Sequence, residues 1–284
     1  MLPALMVLAA LSIVPFVVLI AMSVSKVSTL GRVSLQFAGL ANWQAVLTDS
    51  SIWAAWGRSA IHLAAIISLE MVAGLVVAVV LHHLVRARSL VLALVLLPMF
   101  LAPVMVGLLG RFLFDSTIGL YARLLQLLGL DQDLLASPGT ALPTVIAIDV
   151  WQWTPLIALI LLAGLVSVPA STAEAAAVDG AGFLRTLWSV TLPQMRAVII
   201  VALLVRCMDA IRFFDIITAT TNGGPADSTK TVPLKLYELA FRFNNQMGKA
   251  AVLALMMLIS SIVLARLFLR AFADRDGATY GGGR

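Results

Sequence analysis

The sequence predicts an all-α integral membrane protein with six membrane-spanning helices, and two observations lead to this fold class. Hydrophobic residues make up 61% of the 284 residues, charged residues make up 12%, and the mean hydropathy is +1.03. This composition is too apolar for a soluble domain. Six apolar stretches are also long enough, or nearly so, to cross about 30 Å of hydrocarbon as helices of about 20 residues. They lie at about 3–24, 59–81, 90–113, 143–166, 195–220 and 249–270.

The first apolar stretch, 3–24, is expected to remain as a span. No basic residue precedes it and no small-residue cleavage site is evident near its end, so it does not fit a signal peptide. The later stretches follow without a low-complexity linker or a repeat of fixed period. A single transmembrane domain is therefore predicted over residues 1–284.

Six spans place both termini on the same side of the membrane, and the basic residues indicate which side. Loop 82–89 holds Arg86 and Arg88 without an acid, and four arginines lie between residue 266 and the end of the chain. Eight basic residues fall on this side and six in the opposite loops. By the positive-inside rule, this small excess favours, but does not decide, the orientation of a multi-pass cell-membrane protein with both termini in the cytoplasm.

A short polar segment, EAAAVDGAGFLRTLWSVTLP, runs from Glu174 to Pro193 between two apolar stretches. Ser171 and Glu174 have the spacing of a capping box, in which each side chain binds the backbone amide of the other residue, so a helix is expected to begin there. Because glycine adopts backbone angles that are closed to other residues, Gly180 is expected to end that helix. A second short helix, about 183–190, is predicted before Pro193.

The spacing of this segment resembles the EAA signature of permease subunits of ATP-binding-cassette (ABC) importers. The positions that carry the resemblance are Glu174, Ala175, Ala176, Asp179, Gly180, Leu192 and Pro193. In that family the loop, here residues 167–194, is the cytoplasmic coupling element, a helix-turn-helix that docks in a cleft of the ATPase. The resemblance implies the type I ABC importer permease fold and assigns ATPase coupling to these seven residues. The alternative is a capped amphipathic helix that lies on the membrane surface.

A wider resemblance covers nearly the whole chain. It is to the MalF- and UgpA-like carbohydrate branch of these permeases, the inner-membrane components of binding-protein-dependent sugar transport. Its central motif is Thr221-Asn222-Gly223-Gly224-Pro225, which also suits a turn that ends a helix. Further matches are Phe37, Gly39, Leu40, Asn42, Trp43, Phe114, Asp115, Gly119, Asp149, Trp151, Trp153, Thr154, Pro155, Phe214, Asp215, Thr229, Tyr237, Phe241 and Gly248. Glu70, Arg206 and Asp209 depart from the branch, in which neutral residues are expected.

The resemblance implies a function and a set of partners. The chain is expected to be a transmembrane subunit that imports a sugar-like solute, either an oligosaccharide such as a disaccharide or glycerol phosphate, delivered by an extracytoplasmic binding protein. Expected partners are a second homologous permease and two cytoplasmic ABC ATPases, which hold ATP and Mg. The chain itself is expected to be non-catalytic and without a cofactor. Its Gly248-Lys249 pair lacks the other residues of a phosphate-binding P-loop.

Two other functions stay open on the sequence alone. One is an ABC permease for amino acids, phosphate or peptides, which shares the EAA element but usually lacks the Thr-Asn-Gly-Gly-Pro motif. The other is a secondary transporter or channel driven by an ion gradient, with Asp209 and Arg212 as coupling groups. Nucleic-acid binding is not expected, because the basic residues are dispersed at membrane boundaries. His62, His82 and His83 lack the spacing of metal ligands.

Six residues are candidates for the substrate path. They are Asp149, Trp151, Trp153, Asp209, Arg212 and Asn222. Charged groups inside a membrane-spanning stretch must face protein or water, because exposing a charge to lipid is energetically costly. The two tryptophans can stack on a sugar face, and anchoring at the membrane interface is their alternative role.

The charges of the fifth apolar stretch have an alternative role as intrahelical ion pairs. A spacing of three joins Arg206 to Asp209, Asp209 to Arg212, and Arg212 to Asp215. Glu70, Arg111 and Asp149 are also path candidates, but a buried charge that clamps neighbouring helices is the favoured role for them. The sequence therefore predicts charges inside the protein and leaves their partners open.

Overall fold

Helices form most of the structure, a computed structural model that describes residues 2–28, 34–84, 86–127, 129, 133–243 and 246–280. The helices are α1 (Leu2–Ser23), α2 (Ala41–Leu47), α3 (Ser50–His83), α4 (Arg88–Leu96), α5 (Pro103–Leu113), α6 (Leu120–Leu127), α7 (Ala141–Ser167), α8 (Ala170–Val178), α9 (Phe183–Thr186), α10 (Leu192–Gln194), α11 (Arg196–Ala210), α12 (Asp215–Thr220), α13 (Val232–Tyr237) and α14 (Met247–Tyr280). A 3₁₀ turn, Leu97–Phe100, follows α4, and π-helical turns follow α9 at Leu187–Thr191 and α13 at Glu238–Arg242. Two short strands, β1 (Ser25–Ser28) and β2 (Ser34–Phe37), pair antiparallel.

Four helices in the described part of the chain are long and apolar enough to cross a membrane, namely α1, α3, α7 and α14. The count rises to six if each of two bent helix pairs is one span. The predicted spans 3–24 and 143–166 agree closely with α1 and α7, whereas α3 begins at Ser50 instead of residue 59. The predicted all-α membrane fold is confirmed, and two of the predicted spans are not straight helices.

The first broken span replaces the straight helix that was predicted over 90–113. The helical segments 88–100 and 103–113 meet at an angle of 92°. Proline disfavours a helical conformation in the residue before it, and Ala102, which precedes Pro103, is extended with φ −61° and ψ 135°. Gln152 Nε2 in α7 donates a hydrogen bond of 2.9 Å to the carbonyl oxygen of Leu101, inside the gap. Proline therefore breaks the helix, and a side-chain amide satisfies a carbonyl at the break.

The stretch 195–220, which was predicted as one straight helix, is also broken. The helical segment 183–194 meets α11 at 73°, and α11 ends at Ala210. After four intervening residues, α12 begins and packs against α5. A Cβ on Gly107 of α5 would lie 2.6 Å from Ala219 Cβ in α12, so the two helices touch where only glycine fits. This contact gives α12 a packing partner of its own after α11 has ended.

The chain divides into two compact units, one formed by residues 1–60 and 230–264 and the other by 61–229 and 265–284. Each unit has its own buried apolar cluster. The cluster of the first unit joins α3, α13 and α14 around residues that include Ile52, Val232 and Leu253. The single domain predicted over residues 1–284 stays a prediction.

The first unit explains two positions of the carbohydrate-branch resemblance as packing positions. Asn42 Nδ2 in α2 donates hydrogen bonds to the carbonyl oxygens of Ser23 and Ser25, at 3.1 and 2.9 Å. A Cβ on Gly248 in α14 would lie 2.5 Å from that nitrogen, so α14 comes close enough that glycine is required. The strand pair that follows α1 in this unit was not predicted, because two strands of four residues carry too little alternation to be recognised.

In the second unit, one face of α3 packs against α7. His62, Ile66, Glu70, Gly74 and Ala78 recur at every fourth position of α3 and are all buried. Residues four apart lie on one face of a helix, so these five form a single buried stripe. Two of the five are polar, which requires polar partners on the neighbouring helices.

Replacing Gly74 by valine is expected to destabilise the second unit. A Cβ at this position would lie 2.6 Å from Ile157 Cγ2 and 3.1 Å from the backbone nitrogen of Ala158, so α3 and α7 must separate. Overpacking of this kind costs about 1–3 kcal/mol. Thermal unfolding of the purified permease in detergent measures the loss. Gly57→Val on the same helix, where an added Cβ meets nothing within 4 Å, is the control and should leave the unfolding temperature nearly unchanged.

Candidate functional site

A buried ion cluster lies at the centre of the second unit, where α3, α7 and α11 meet. Arg206 of α11 donates from Nε and Nη2 to the two carboxylate oxygens of Glu70 in α3, at 2.6 and 2.8 Å. Its Nη2 also donates to Asp149 Oδ1 in α7 at 2.9 Å, and its Nη1 donates to Asp209 Oδ2 at 3.1 Å. One guanidinium therefore joins three carboxylates from three helices.

Burial makes this cluster energetically important. The side chains of Glu70 and Asp149 are fully buried, and that of Arg206 is 1% exposed. The indole ring of Trp153 covers the guanidinium at 5.2 Å from its centroid, and His62 Nε2 lies 3.7 Å from Asp149 Oδ2. Buried charges are tolerated when they are paired and hydrogen-bonded. The geometry thus makes Arg206 a clamp between three helices, which agrees with the clamping role favoured for Glu70 and Asp149.

Only one of the three ion pairs that the spacing of three allows between residues 206 and 215 forms. Arg206 pairs with Asp209, but within residues 196–243, all of which are described, Arg212 makes no ion pair with Asp209 or Asp215. The reason is that α11 ends at Ala210, so the helical spacing of three does not continue through Arg212. Asp209 differs from the other acids of the cluster because 48% of its side chain is exposed.

The structure places the two candidate tryptophans in different surroundings. Trp153 lies over Arg206 in the ion cluster. Trp151 instead lines an apolar cavity of about 220 Å³ together with Phe114 and Tyr121. The two residues are separated by about 200° around α7, because each residue of a helix turns by about 100°. One sugar ring cannot therefore stack on both of them, and the path role of each stays a prediction.

Asn222 lies in a turn that closes the end of α12. Its backbone has φ 52°, and its amide donates to the carbonyl oxygen of Ile217 at 2.8 Å. The hydroxyls of Thr221 and Thr229 are 2.6 Å apart, and Thr229 Oγ1 also donates to the carbonyl oxygen of Gly224 at 2.9 Å. These bonds give the Thr-Asn-Gly-Gly-Pro motif a structural role, while the path role of Asn222 stays a prediction.

Asp115, another position of the resemblance, also organises a turn. Its Oδ1 accepts hydrogen bonds from the hydroxyl and the amide of Thr117, at 2.5 and 2.9 Å, and from the amide of Ile118 at 3.2 Å. These bonds favour the ionised form and hold the pKa of this exposed carboxyl below its usual value. The carboxylate thereby fixes the connection between α5 and α6.

The loop with the EAA signature is a helix-turn-helix, and its turn is formed as predicted. Helix α8 ends at Val178, and Gly180 follows with φ +78°. The amide of Ala181 donates to the carbonyl oxygen of Ala176 at 2.9 Å. A left-handed glycine with such a bond is a common way to end a helix.

The capping box that was predicted at the start of this loop is wrong. Helix α8 begins at Ala170 with Pro169 as its N-cap residue, and no side chain caps it. Because Ser171 already lies in the first helical turn, it is not in position to cap Glu174. Thr172 Oγ1 instead donates to the carbonyl oxygen of Pro169 at 2.7 Å.

The second half of the loop is also longer than predicted. Helix α9, the π-helical turn and α10 follow directly on one another to Gln194, so Pro193 lies within helical structure and not after it. Pro193 is the second residue of α10, directly after the π-helical turn. Leu187 and Leu192 pack against the buried cluster that contains Leu161 of α7 and Ala202 of α11. The base of the loop is therefore fixed to both of these helices.

An open groove of about 730 Å³ separates the helix-turn-helix from the end of α3. The residues that line it include His82, His83, Arg88, Ser167, Glu174 and Phe183. The rings of His83 and Phe183 make an edge contact at 5.5 Å between centroids. The loop that follows α3 and the EAA loop thus lie at the same end of this unit.

The comparisons with known proteins identify the family. The profile of the family described as "Binding-protein-dependent transport system inner membrane component" matches residues 70–275. The permease protein MalF of the trehalose/maltose transport system of Thermococcus litoralis is 32% identical over 241 residues, 83% of this chain and 80% of that protein. SugA of the trehalose transport system of Mycobacterium tuberculosis is 33% identical over 237 residues, 83% of this chain and 75% of that protein. UgpA of the sn-glycerol-3-phosphate transport system of Yersinia pestis is 32% identical over 229 residues, 80% and 77% of the two chains.

The fold is likewise that of a solved transporter. A chain of the bacterial alginate ABC transporter, crystallised in complex with an alginate pentasaccharide-bound periplasmic protein, superposes with a TM-score of 0.81 at 18% identity and covers 94% of this chain and 90% of that one. At this identity the likeness supports the fold alone. With the family profile and the relatives, it agrees with the resemblance drawn from the EAA loop. The chain belongs to the family of binding-protein-dependent transport system inner membrane components, as a multi-pass permease subunit of the ABC importer type.

Proposed function

We propose that this chain is a transmembrane subunit of an ABC importer that moves a sugar-like solute across the cell membrane. The relatives MalF and SugA are named for trehalose or maltose transport, and UgpA is named for glycerol-phosphate transport. The solute is accordingly an oligosaccharide such as a disaccharide, or glycerol phosphate, and an extracytoplasmic binding protein delivers it. The chain itself is non-catalytic, and ATP hydrolysis belongs to a separate subunit.

The observation that carries this proposal is the exposed apolar surface of the helix-turn-helix. Val178 is 88% exposed beside the turn, and Leu184 and Trp188 on the second half of the loop are 66% and 65% exposed. Apolar side chains that cluster on a polar loop mark a contact surface for a partner. The partner that fits an EAA loop is a cytoplasmic ABC ATPase holding ATP and Mg. Two ATPases and a second homologous permease complete the importer.

The packing of the loop supports a route from ATP hydrolysis to the substrate path. Leu187 and Leu192 fix the loop to α7 and α11, and these two helices carry Asp149, Arg206 and Asp209 of the ion cluster. When the ATPases close, they draw the loops of both permeases together and rock the helices between inward-open and outward-open states. The loop and both termini lie in the cytoplasm in this arrangement.

Replacing Val178 by aspartate tests the docking surface. The change places a charge at the most exposed apolar position of the loop, so we expect co-purification with a co-expressed ABC ATPase to fall by about tenfold, equivalent to about 1.4 kcal/mol of binding. Leu127→Asp is the matched control, because Leu127 is 83% exposed on α6, outside the EAA loop, and ATPase recovery should not change. Normal ATPase recovery with Val178→Asp contradicts docking at this turn and favours a loop that lies on the membrane surface.

The source of energy has a separate test. A partner ATPase with its P-loop lysine replaced by alanine should abolish solute uptake, because phosphate binding needs that lysine. Uptake that survives this change contradicts the ABC proposal and supports the ion-gradient transporter. Binding measurements on the partner binding protein, with disaccharides, glycerol phosphates, amino acids and peptides, separate the remaining alternatives.

A further inference from the structure

We infer that the buried ion cluster binds one proton, held between Asp149 Oδ2 and His62 Nε2, so that its fully buried groups carry no net charge. The site concerns neither the solute nor the ATPase, and it therefore goes beyond the proposed function. Three features of the cluster support it: the pairing of Arg206 with Glu70, the charge balance of the buried groups, and an oxygen of Asp149 that the arginine leaves free.

Arg206 is the counter-ion of Glu70 rather than of Asp149. Its Nε and Nη2 donate to both oxygens of Glu70, at 2.6 and 2.8 Å, and such bidentate pairs are the strong form of arginine–carboxylate bonding. Asp149 accepts one bond of 2.9 Å, which comes from the same Nη2. Because both oxygens of Glu70 accept bonds from a charged donor, Glu70 stays ionised, and Asp149 is the acid without a cation of its own.

The fully buried groups are out of balance if both acids are ionised. Three helices bring Glu70 of α3 and Arg206, Cys207 and Asp209 of α11 to Asp149 of α7. Arg206 is the one cation of this set, and within the described part of the chain no lysine or other arginine lies within ion-pair distance of Glu70 or Asp149. Asp209, whose side chain is 48% exposed, adds only negative potential. An uncompensated charge in a protein interior is so costly that an acid takes up a proton instead.

Asp149 has one oxygen in position to share this proton. Its Oδ2 lies 3.7 Å from His62 Nε2, and the side chains of Asp149 and His62 are 0% and 4% exposed. Neither atom has a hydrogen-bond partner among the described residues. Since 3.7 Å is too long for a hydrogen bond, the two side chains must approach by about 1 Å to form one. The geometry thus supplies two facing atoms that a proton can join.

Hydrogen bonding alone does not require the additional proton. A neutral His62 with its hydrogen on Nε2 would bond to Asp149, and a water molecule beside the pair would also satisfy both atoms. Both arrangements leave the negative charge in place. One additional proton forms the bond and removes the charge, whether it resides on the carboxyl oxygen or on the imidazole. In either form, His62 ties a further position of α3 into the clamp that Arg206 makes.

Two measurements on the full chain in detergent at neutral pH locate the proton. Infrared spectroscopy detects a protonated carboxyl, because its C=O stretch is separate from the bands of a carboxylate. Nitrogen-15 NMR detects hydrogen on the ring of His62, since an imidazolium carries it on both nitrogens and a neutral ring carries it on one. His82→Gln and His83→Gln leave His62 as the only histidine of the labelled chain, and both replaced side chains are exposed.

We expect one of two signals. Either an infrared band of a protonated carboxyl is present and is lost in Asp149→Asn, or the ring of His62 carries hydrogen on both nitrogens. Glu70→Gln should abolish that signal, because Arg206 then takes Asp149 as its counter-ion and the proton leaves for the solvent. Asp209→Asn is the matched control, because it removes a carboxylate that is nearly half exposed and bonded to the same guanidinium, and the signal should remain.

The absence of both signals overturns the inference, because the buried pair then holds no additional proton. A signal that persists in Glu70→Gln, or that disappears in Asp209→Asn, also overturns it, since the charge balance of the fully buried groups would then not control the proton. Size-exclusion chromatography identifies the folded chain in every sample. If either Asp149→Asn or Glu70→Gln is not recovered in folded form, the other variant still decides against the same control.

Discussion

Replacing Arg206 by methionine is expected to remove most of the folded permease from the membrane. The change leaves Glu70 and Asp149 fully buried without their shared cation, and breaking a buried ion pair in this way costs about 3–5 kcal/mol. Typical proteins are stable by about 5–15 kcal/mol, so the loss is a large fraction of the total. The yield of monodisperse permease after extraction in detergent, together with its unfolding temperature, measures the effect.

Two further variants separate charge pairing from simple loss of volume. Arg206→Met combined with Glu70→Gln and Asp149→Asn removes all the fully buried charges together and should recover much of the lost stability. Arg212→Met is the matched control, because it removes an exposed arginine just beyond the end of the same helix, and the yield should be near normal. If the triple variant is no more stable than Arg206→Met alone, packing and not charge determines the stability at this position.

Replacing Gly180 by valine is expected to separate ATP hydrolysis from solute uptake while the permease stays folded. Gly180 has φ +78°, a conformation that costs a residue with a side chain about 1–2 kcal/mol. The turn between α8 and α9 must then change its shape, although an added Cβ meets nothing within 4 Å. Uptake should fall by about tenfold or more, as a loss of about 1.4 kcal/mol in docking implies. Uptake and ATPase activity are measured on the same reconstituted importer.

Gly182→Val is the matched control for this turn. Gly182 is two residues away, its φ is −71°, which valine adopts readily, and an added Cβ there also meets nothing within 4 Å. Uptake with Gly182→Val should stay close to normal. If both variants lose uptake equally, the bulk of the side chain matters and not the left-handed turn. If neither variant loses uptake, the turn at Gly180 does not couple ATP hydrolysis to solute uptake.

The spans could be predicted from the sequence because lipid imposes a simple rule on composition. Helices α1 and α7 follow directly from runs of apolar residues long enough to cross the bilayer. The breaks at Ala102 and after Ala210 could not be placed in the same way, because a hydropathy profile does not show where a helix bends. Pro103 was the available signal for the first break, because proline restricts the residue before it. The second break depends on the contact between α12 and α5, which no local pattern records.

The candidate site was predictable in one part and not in the other. The EAA loop is local, so the left-handed turn at Gly180 could be predicted from spacing alone. The partners of Arg206 could not, because Glu70 is 136 residues away and Asp149 is 57 residues away. The spacing in the sequence indicated Asp209 as a partner of Arg206, and that ion pair does form. Asp209 is, however, the most exposed of the three carboxylates that Arg206 binds. With Glu70 and Asp149 in place, removal of Asp209 leaves Arg206 paired.

The gap at residues 101–102 gives the membrane domain a hinge at one defined point. Across that gap, the bond from Gln152 to Leu101 takes the place of a continuous ladder of backbone hydrogen bonds. The angle between α4 and α5 can change through a few dihedral angles, without unwinding either helix. Because α12 is packed against α5 and both helices also pack against α7, the angle at this joint decides where the two helices lie against α7. The break thus sets the position of both helices without interrupting the hydrogen bonds inside either one.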